Sequence, residues 1–271
     1  MSPIGELMVK HFVRSALPIL LLGLFGLHTR AGVILANLRA DYDRAASTFR
    51  SGQSATIADT LGTGSWNFFA RTNSAPGGSQ TDLIYSTVTS GVRTANAFAY
   101  NGKSQYTLPA VSNTQLISGS NEGAPASNEL AVHPGDGNTG TANFLVFRWT
   151  AGAGEAGPVN LKGSIRDLGI VVDGVTFQIY NSAGTSLFGS VTTSGNTSVN
   201  FDFNTTATVG SYLDFVVGKN INFYSDQSGL KIEVSSVPEP SGFTLTALVF
   251  LGAIFAVYAR KNLTISKLTN N

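Results

Sequence analysis

Short apolar runs rich in Val, Ile, Thr, Phe and Tyr fill residues 32–236, and Gly, Asn and Ser separate them at intervals of about ten residues. In 199–203 the apolar side chains occupy alternate positions, as do Leu230, Ile232 and Val234. Alternate residues of a strand share one face, so each of these strands has one face for a core and one for solvent. The pattern predicts an all-β domain over 32–236, folded as an antiparallel, jelly-roll-like β-sandwich.

Two segments depart from this alternation. Residues 144–149 are almost entirely apolar, which predicts a central strand buried on both faces. Arg148 within that strand then needs a carboxylate partner or access to solvent. Residues 41–50 favour a short helix, since Tyr42 and Phe49 would fall on one helical face.

A longer apolar run, residues 16–27, precedes the domain and follows two basic residues. As a helix it reaches only about 18 Å, whereas the hydrocarbon core of a bilayer is about 30 Å thick. The run therefore predicts a signal peptide over residues 1–31 that is cut near Ala31. An uncleaved anchor is the alternative, and a start at Met8 would give a more compact basic region.

A second uncharged run, 242–259, reaches about 27 Å as a helix and is followed directly by Arg260 and Lys261. Because basic residues favour the cytoplasmic side, this run predicts a transmembrane helix with residues 262–271 in the cytoplasm. The domain over 32–236 would then lie outside the inner membrane. A buried core helix is the alternative for this run.

Five residues join the domain to that helix: Val237, Pro238, Glu239, Pro240 and Ser241. Two prolines fix φ and remove two amide donors, so this stretch predicts an exposed, protease-accessible hinge, although an ordinary stiff linker would look alike. The hinge at 237–241, the apolar helix and the basic pair, together residues 237–261, resemble the PEP-CTERM sorting signal. In that family an exosortase, an integral-membrane cysteine transpeptidase-like enzyme, recognises the motif and releases the protein to the cell surface or matrix.

This resemblance implies recognition through Val237, Pro238, Glu239 and Pro240, with Arg260 and Lys261 as the basic flank. The domain also resembles a β-sandwich module of bacterial PEP-CTERM surface proteins. The segments that carry this second resemblance are 64–68, 130–135, 147–150, 173–180, 187–188, 213–218 and 224–226. It implies one jelly-roll-like domain over most of the mature chain, and it implies no particular ligand.

Composition narrows the chemistry. The absence of cysteine excludes disulfides, thiolate metal sites and a cysteine nucleophile. The net charge is only +1, and residues 32–259 hold 11 basic against 15 acidic residues, which argues against a nucleic-acid partner. His133 is the only histidine after residue 31, and its Pro-Gly neighbours favour a structural role at a turn. Glu122, Glu129 and Glu155 lie in loop-like sequence and are expected to be solvated, so no catalytic residue and no enzyme are predicted.

Asp136 opens a stretch that begins like a calcium loop but lacks the bidentate glutamate of an EF-hand. A single structural calcium would have to use Asp136 together with Asp173 and Asp226. Ordinary turn chemistry of aspartate explains the same residues and is favoured, so no cofactor is predicted. Saccharide binding would need exposed aromatic platforms, for which the candidates are Trp66, Tyr85, Tyr100 and Tyr106; core or edge packing is the alternative for each.

Two functions remain. The first is a non-enzymatic exported protein that uses the Sec translocon and signal peptidase, is anchored transiently in the inner membrane, and is cut by an exosortase. It would then act as a structural or adhesive component at the cell surface, in contact with exopolysaccharide. The alternative is a lectin-like carbohydrate-binding module, calcium-assisted or not, with a glycoside hydrolase as the weaker variant.

Overall fold

The alternating runs form antiparallel strands in the computed structural model, and one short helix follows the first strand. The structure describes residues 32–90, 93–100, 109–116, 123–135, 144–169, 173–193, 195–221, 226–238 and 254. Val33–Val237 form one compact unit. Its strands are β1 (Ile34–Asn37), β2 (Thr56–Ala58), β3 (Ser65–Arg71), β4 (Gln80–Ser90), β5 (Arg93–Tyr100), β6 (Ala110–Ser112), β7 (Leu130–His133), β8 (Phe144–Thr150), β9 (Gly157–Asp167), β10 (Val175–Asn181), β11 (Ser186–Thr193), β12 (Ser198–Ala207), β13 (Tyr212–Lys219) and β14 (Ser228–Ser236).

The strands form two sheets that share β4. Sheet I has the order β12-β9-β14-β7-β6-β5-β4, and β1 also pairs with β14. Sheet II has the order β11-β10-β13-β8-β3-β4, and β2 also pairs with β3. Residues 80–82 of β4 pair with β3, whereas residues 83–90 pair with β5, so this strand passes from one sheet to the other. All of these pairings are antiparallel.

The two sheets face each other across a shared apolar core. Alternate residues of sheet II, such as Trp66 and Phe147, point into it, and Leu161 and Ile232 enter it from sheet I. Rings bridge the two sheets, and the centroid of Phe201 lies 5.5 Å from that of Phe177. The prediction of an all-β antiparallel sandwich is therefore confirmed, while jelly-roll-like connectivity stays a prediction.

Strand β8 lies between β3 and β13, which confirms the predicted central strand. The alternation in β12 is also as predicted, because Phe201 is buried while Asn200 and Asp202 are exposed. These predictions hold because a strand that buries one face needs apolar residues at every second position.

The helix α1 (Leu38–Ala46) begins and ends earlier than the predicted range of 41–50. Asn37 caps it, because its side chain accepts a hydrogen bond from the Ala40 amide, and its own amide donates to Asp41. Phe49 lies beyond the helix, yet its ring contacts Tyr42 edge to face with centroids 5.3 Å apart. The predicted aromatic pair therefore forms across the end of the helix instead of along one face.

Most residues of the segments before and after the compact unit lie outside the described residues. The predicted signal peptide, Glu239, Pro240, Arg260, Lys261 and the predicted cytoplasmic tail lie outside the described residues. Among the residues that the structure does describe, no helix has the length and apolar character needed to cross a membrane. The compact unit ends at Val237, whose amide donates to the Pro158 carbonyl, and Pro238 is exposed.

Candidate functional site

The aromatic residues predicted as saccharide platforms lie in or against the core. Trp66 is 0% exposed, and its indole N–H donates to Asp41 at 2.9 Å. Tyr100 is buried, and the half-buried Tyr85 packs its ring 4.9 Å from that of Phe49. Trp66 and Tyr100 therefore present no open face to a saccharide, whereas Tyr85 is partly exposed and packs against the core. Tyr106 lies outside the described residues.

The predicted calcium ligands are only partly described. Asp173 precedes β10, where its carboxylate accepts the Ile221 amide, and Asp226 is buried just before β14. Asp136 falls outside the described residues. Within the part of the chain that is described, no three His, Asp or Glu side chains are arranged to hold a metal ion. The calcium site was the less favoured alternative, and because it would use Asp136 it stays untested.

Two loop glutamates differ from expectation because they are buried. Glu129 is 7% exposed and Glu155 is 1% exposed, so the prediction of solvated loop charges is wrong for both. Glu129 accepts hydrogen bonds from Arg166 at 2.8 Å and from the Ala126 amide. Burial acts to raise the pKa of Glu129, but these hydrogen bonds outweigh it and hold that pKa below its ordinary value. Both glutamates therefore hold irregular loop segments in place, since each accepts a hydrogen bond from a backbone amide of its own loop.

Glu155 belongs to a group of three buried acids at one end of the sandwich, Asp41, Asp59 and Glu155, here called the carboxylate cluster. Neighbouring tryptophans supply donors to it: Trp66 donates to Asp41, and Trp149 donates to Asp59 at 2.9 Å. The Gly62 and Gly64 amides also donate to Asp59. Glu155 accepts the Gly152 amide at 2.7 Å and the Thr63 hydroxyl at 2.8 Å.

Asp59 and Glu155 converge on Gly64, where a Cβ would lie 2.4 Å from an oxygen of each. Within the described chain neither side chain pairs with a cation, since Arg44 reaches the Asp41 carboxylate and only the backbone carbonyl of Asp59. Burial raises the pKa of Glu155, and its hydrogen bond with Asp59 raises it further. A buried carboxylate beside a second acid and without a cation is harder to ionise, so the protonated form of Glu155 is favoured relative to an exposed glutamate.

The carboxylate cluster connects loops and does not offer a reaction centre. All three acids are essentially inaccessible to solvent, whereas a glycosidase pair must reach both sides of a substrate bond. The oxygens of Asp59 and Glu155 are occupied by donors from residues 62–64, Trp149 and Gly152. The cluster therefore fastens the β2–β3 loop to the β8–β9 loop.

The outer face of sheet II carries a second polar cluster, and unlike the first it reaches the surface. Strand register places Asn67, Arg148, Asp214 and Tyr180 in one row across β3, β8, β13 and β10. These positions alternate with core residues, so their side chains point away from the core. The neighbouring rows add further residues, and we call the whole set the arginine–aromatic face: Asn67, Phe69, Arg71, Phe144, Val146, Arg148, Gln178, Tyr180, Tyr212, Asp214 and Val216.

Asp214 is the centre of this face, and two arginines bind it. Arg148 donates to its two oxygens at 2.7 and 2.9 Å, in a bidentate pair, and Arg71 donates to one of them at 2.8 Å. The expectation was that Arg148 needs a carboxylate partner or access to solvent; Arg148 pairs with Asp214, and 18% of its side chain is exposed. Arg71 also donates to the backbone carbonyls of Asn73 and Ser74, so it anchors the β3–β4 loop over this side of the sheet.

Aromatic rings surround the Arg148 guanidinium. Its central carbon lies 3.6 Å from the centroid of the Tyr212 ring and 4.9 Å from that of Phe69. Phe144 lies against Gly218, where a Cβ would come within 2.5 Å of the ring, so glycine leaves room for the ring on the sheet. Tyr212 and Phe144 are both partly exposed.

This face combines apolar rings with groups that can hydrogen-bond to a ligand. Partly exposed rings provide apolar surfaces for sugar C–H groups, while guanidinium and amide groups such as Arg148, Gln178 and Asn67 provide hydrogen bonds. Sequence reasoning noted Arg148 only as a charge in need of a partner, and it named none of Arg148, Tyr212 and Asp214 as a binding residue. The available signal was the alternation of 212–216, which places an acid and a tyrosine on the face opposite the core residues.

Comparison with known proteins adds little to this picture. No family model matches the chain, and no curated protein matches it. One solved structure that it resembles is the native structure of a family 35 carbohydrate binding module from Clostridium thermocellum. The identity is 11%, the TM-score is 0.28, and the match covers 46% of this chain and 90% of the module. A likeness at this level does not by itself establish a shared fold or ligand.

Proposed function

We propose that the β-sandwich is a non-enzymatic saccharide-binding module, and that the arginine–aromatic face binds the saccharide. The observation that carries the proposal is the Arg148 guanidinium, which Asp214 holds in a bidentate pair and which Tyr212 covers at 3.6 Å. A group held on two sides is preorganised, so little conformational entropy remains to be lost when a ligand binds.

The exported, matrix-associated role belongs to the same proposal. It is supported by the order of the predicted segments in the sequence and by the limits of the compact unit, Val33–Val237. The two ends of this unit are joined, since the Ser236 amide donates to Val33 at 2.8 Å and the Val33 amide donates to the Ser236 hydroxyl at 2.9 Å. Signal peptidase and an exosortase would then cut next to the folded unit and leave it intact. The module would meet exopolysaccharide outside the cell.

Binding is tested with the full chain, purified in a detergent without a sugar headgroup and applied to arrays of plant, algal and bacterial polysaccharides. The wild-type chain is expected to bind at least one of them. Tyr212→Ala and Phe144→Ala should weaken that binding by about tenfold or more, because each removes a ring from the face. Phe188→Ala is the matched control, since this half-buried phenylalanine lies on edge strand β11, away from the face.

Two results would contradict the binding proposal: no binding to any polysaccharide by a folded chain, or equal binding by the wild type and both variants. Trp66→Ala does not serve as a test, because the buried Trp66 ring is part of the core.

Export and sorting are tested by intact mass and terminal peptide mapping of the protein recovered from outside its native host. The expected mature chain begins near Gly32 and ends near Pro238–Pro240. Deletion of 237–240 should prevent surface delivery and change the mature mass. A recovered chain that still carries Arg260 would mean a permanent membrane anchor and would overturn exosortase processing.

A further inference from the structure

We infer that the arginine–aromatic face selects anionic saccharides, those that carry carboxylate or sulfate groups, over neutral ones. This inference rests on the proposed saccharide-binding function and adds the class of ligand. It follows from the balance of charges on the face, from the one guanidinium nitrogen of Arg148 whose hydrogen bond no described residue accepts, and from the exposure of Arg148.

The buried charges of this face do not balance. Arg71 and Asp214 are completely buried, and Arg148 is 18% exposed in its side chain, so two guanidiniums share one carboxylate. The nearest further acid in register is Asp82, which pairs with Phe69 across β3 and β4. Asp82 is exposed, and within the described chain it forms no ion pair with either arginine. The group of Arg71, Arg148 and Asp214 therefore has one positive charge in excess, beneath a partly exposed surface.

The two arginines differ in what remains available. All three nitrogens of Arg71 donate, to Asp214 and to the carbonyls of Asn73 and Ser74. Arg148 uses Nε and Nη2 on Asp214, and no described residue accepts a hydrogen bond from its Nη1. Arg148 is also the more exposed of the two, so a ligand reaches the excess charge through this nitrogen.

An anionic group fits this nitrogen better than a hydroxyl does. A hydroxyl oxygen can accept the hydrogen bond, but it leaves the excess charge unneutralised in a poorly solvated place. A carboxylate or sulfate accepts a shorter, charge-assisted hydrogen bond and neutralises the excess positive charge of the two arginines. Tyr212 fixes the plane of the guanidinium, so the direction of Nη1 is set before the ligand arrives.

The test compares polymers that share a backbone and differ in charge: dextran with carboxymethyl-dextran, and hydroxyethyl-cellulose with carboxymethyl-cellulose. Affinities of the full chain are measured at low and at physiological salt. We expect the wild type to bind the carboxymethyl form of at least one pair about tenfold or more tighter at low salt, and the preference to shrink as salt rises.

Arg148→Met is the main variant. It leaves Arg71 and Asp214 as a balanced pair and keeps an apolar side chain on Tyr212, so the fold should persist. Its preference for the carboxymethyl form is expected to fall to within about twofold. Arg148→Lys retains the charge and should keep part of the preference. Lys162→Met is the matched control, because it removes one exposed cation from sheet I and should change nothing.

The outcomes separate the inference from the function on which it rests. Equal binding of both forms by the wild type would overturn the inference and leave saccharide binding standing. A preference that survives in Arg148→Met, or that Lys162→Met abolishes, would also overturn it, since the selectivity would then come from overall charge. Failure to bind any polymer of the arrays or of these pairs would overturn the proposed function itself.

Discussion

The arginine–aromatic face and the carboxylate cluster are two charged groups on one sandwich, and they carry opposite excess charge. The first has two cations and one anion and opens to solvent at Arg148. The second has three acids, for which Arg44 supplies the one ion pair in the described chain, and it is closed. An acid can neutralise itself by keeping a proton, whereas arginine stays protonated at any ordinary pH. A buried excess of acid can therefore be closed off, but a buried excess of arginine favours an external anion.

The largest effect should follow from removal of the acid that holds the arginine–aromatic face together. Asp214→Ala leaves Arg71 buried and both guanidiniums without a counter-charge, so it should lower the free energy of unfolding by about 3–5 kcal/mol. Urea unfolding at pH 7 measures this. Asp202→Ala is the control: this exposed acid pairs with Lys162 at 3.6 Å, and its loss should leave the free energy of unfolding essentially unchanged. Equal effects of the two variants would mean that Asp214 is not the centre of a buried cluster.

A smaller effect is expected at the carboxylate cluster, where the partner that is lost is neutral. Trp149→Phe removes the indole N–H that donates to Asp59 and leaves a small cavity, at a cost of about 2–3 kcal/mol. Trp66→Phe makes the same change beside Asp41, which keeps described donors on both of its oxygens. Asp59 keeps the Gly62 and Gly64 amides on Oδ1 but loses its one described donor to Oδ2. Thermal unfolding should therefore rank Trp149→Phe as the more damaging variant. The reverse order would show that Asp59 does not depend on the indole.

The pH dependence of stability should separate the two groups next. Burial, assisted by Asp59, raises the pKa of Glu155 above its ordinary value of 4.5. Burial also raises the pKa of Asp41 above its ordinary value of 3.8. An acid with a raised pKa binds its proton more tightly in the folded state. Its contribution to stability is complete below its pKa in the unfolded chain and is lost as the pH rises through the raised value.

Glu155→Gln should flatten that loss, because a neutral amide ends the competition between two carboxylates. The measurement is the free energy of unfolding from pH 4 to pH 8, with the variant compared to the wild type. Glu129→Gln is the contrasting control: the pKa of Glu129 is lowered, so its contribution is lost as the pH falls. An unchanged slope in Glu155→Gln would contradict a raised pKa at Glu155.

The smallest effect on stability is expected at the surface ring of the arginine–aromatic face. Tyr212→Leu removes the cation–π contact with Arg148 at a partly exposed site and should cost about 0.5–1 kcal/mol. The same variant should weaken saccharide binding far more than it weakens folding. Chemical unfolding and array binding of one preparation compare the two effects, and a proportional loss of both would indicate that Tyr212 is structural only.

Several local features of the chain were predictable because they depend on neighbours in sequence. Alternation identified the inward and outward faces of β12 and β14, and the apolar run at 144–149 identified central strand β8. The helix was found but misplaced, since its start is set by the Asn37 cap and by a bond from the Asn37 amide to Asp41. A pattern of apolar residues does not contain that information.

The sequence by itself determined the class of fold and the central position of β8, because burial enforces strand periodicity locally. It also determined that Arg148 needs a carboxylate partner or access to solvent, because an apolar strand leaves a charge unpaired. Only the tertiary structure decided that Asp214 is the carboxylate that pairs with Arg148, and that Arg71 pairs with the same acid. It also decided that Glu155 and Asp59 lie together beside Gly64. Those partners lie many strands apart in the chain, and the register of long-range pairing brings them together. The tertiary structure also decided that Trp66 is core and Tyr212 is surface, since exposure depends on which side of which sheet a strand position faces.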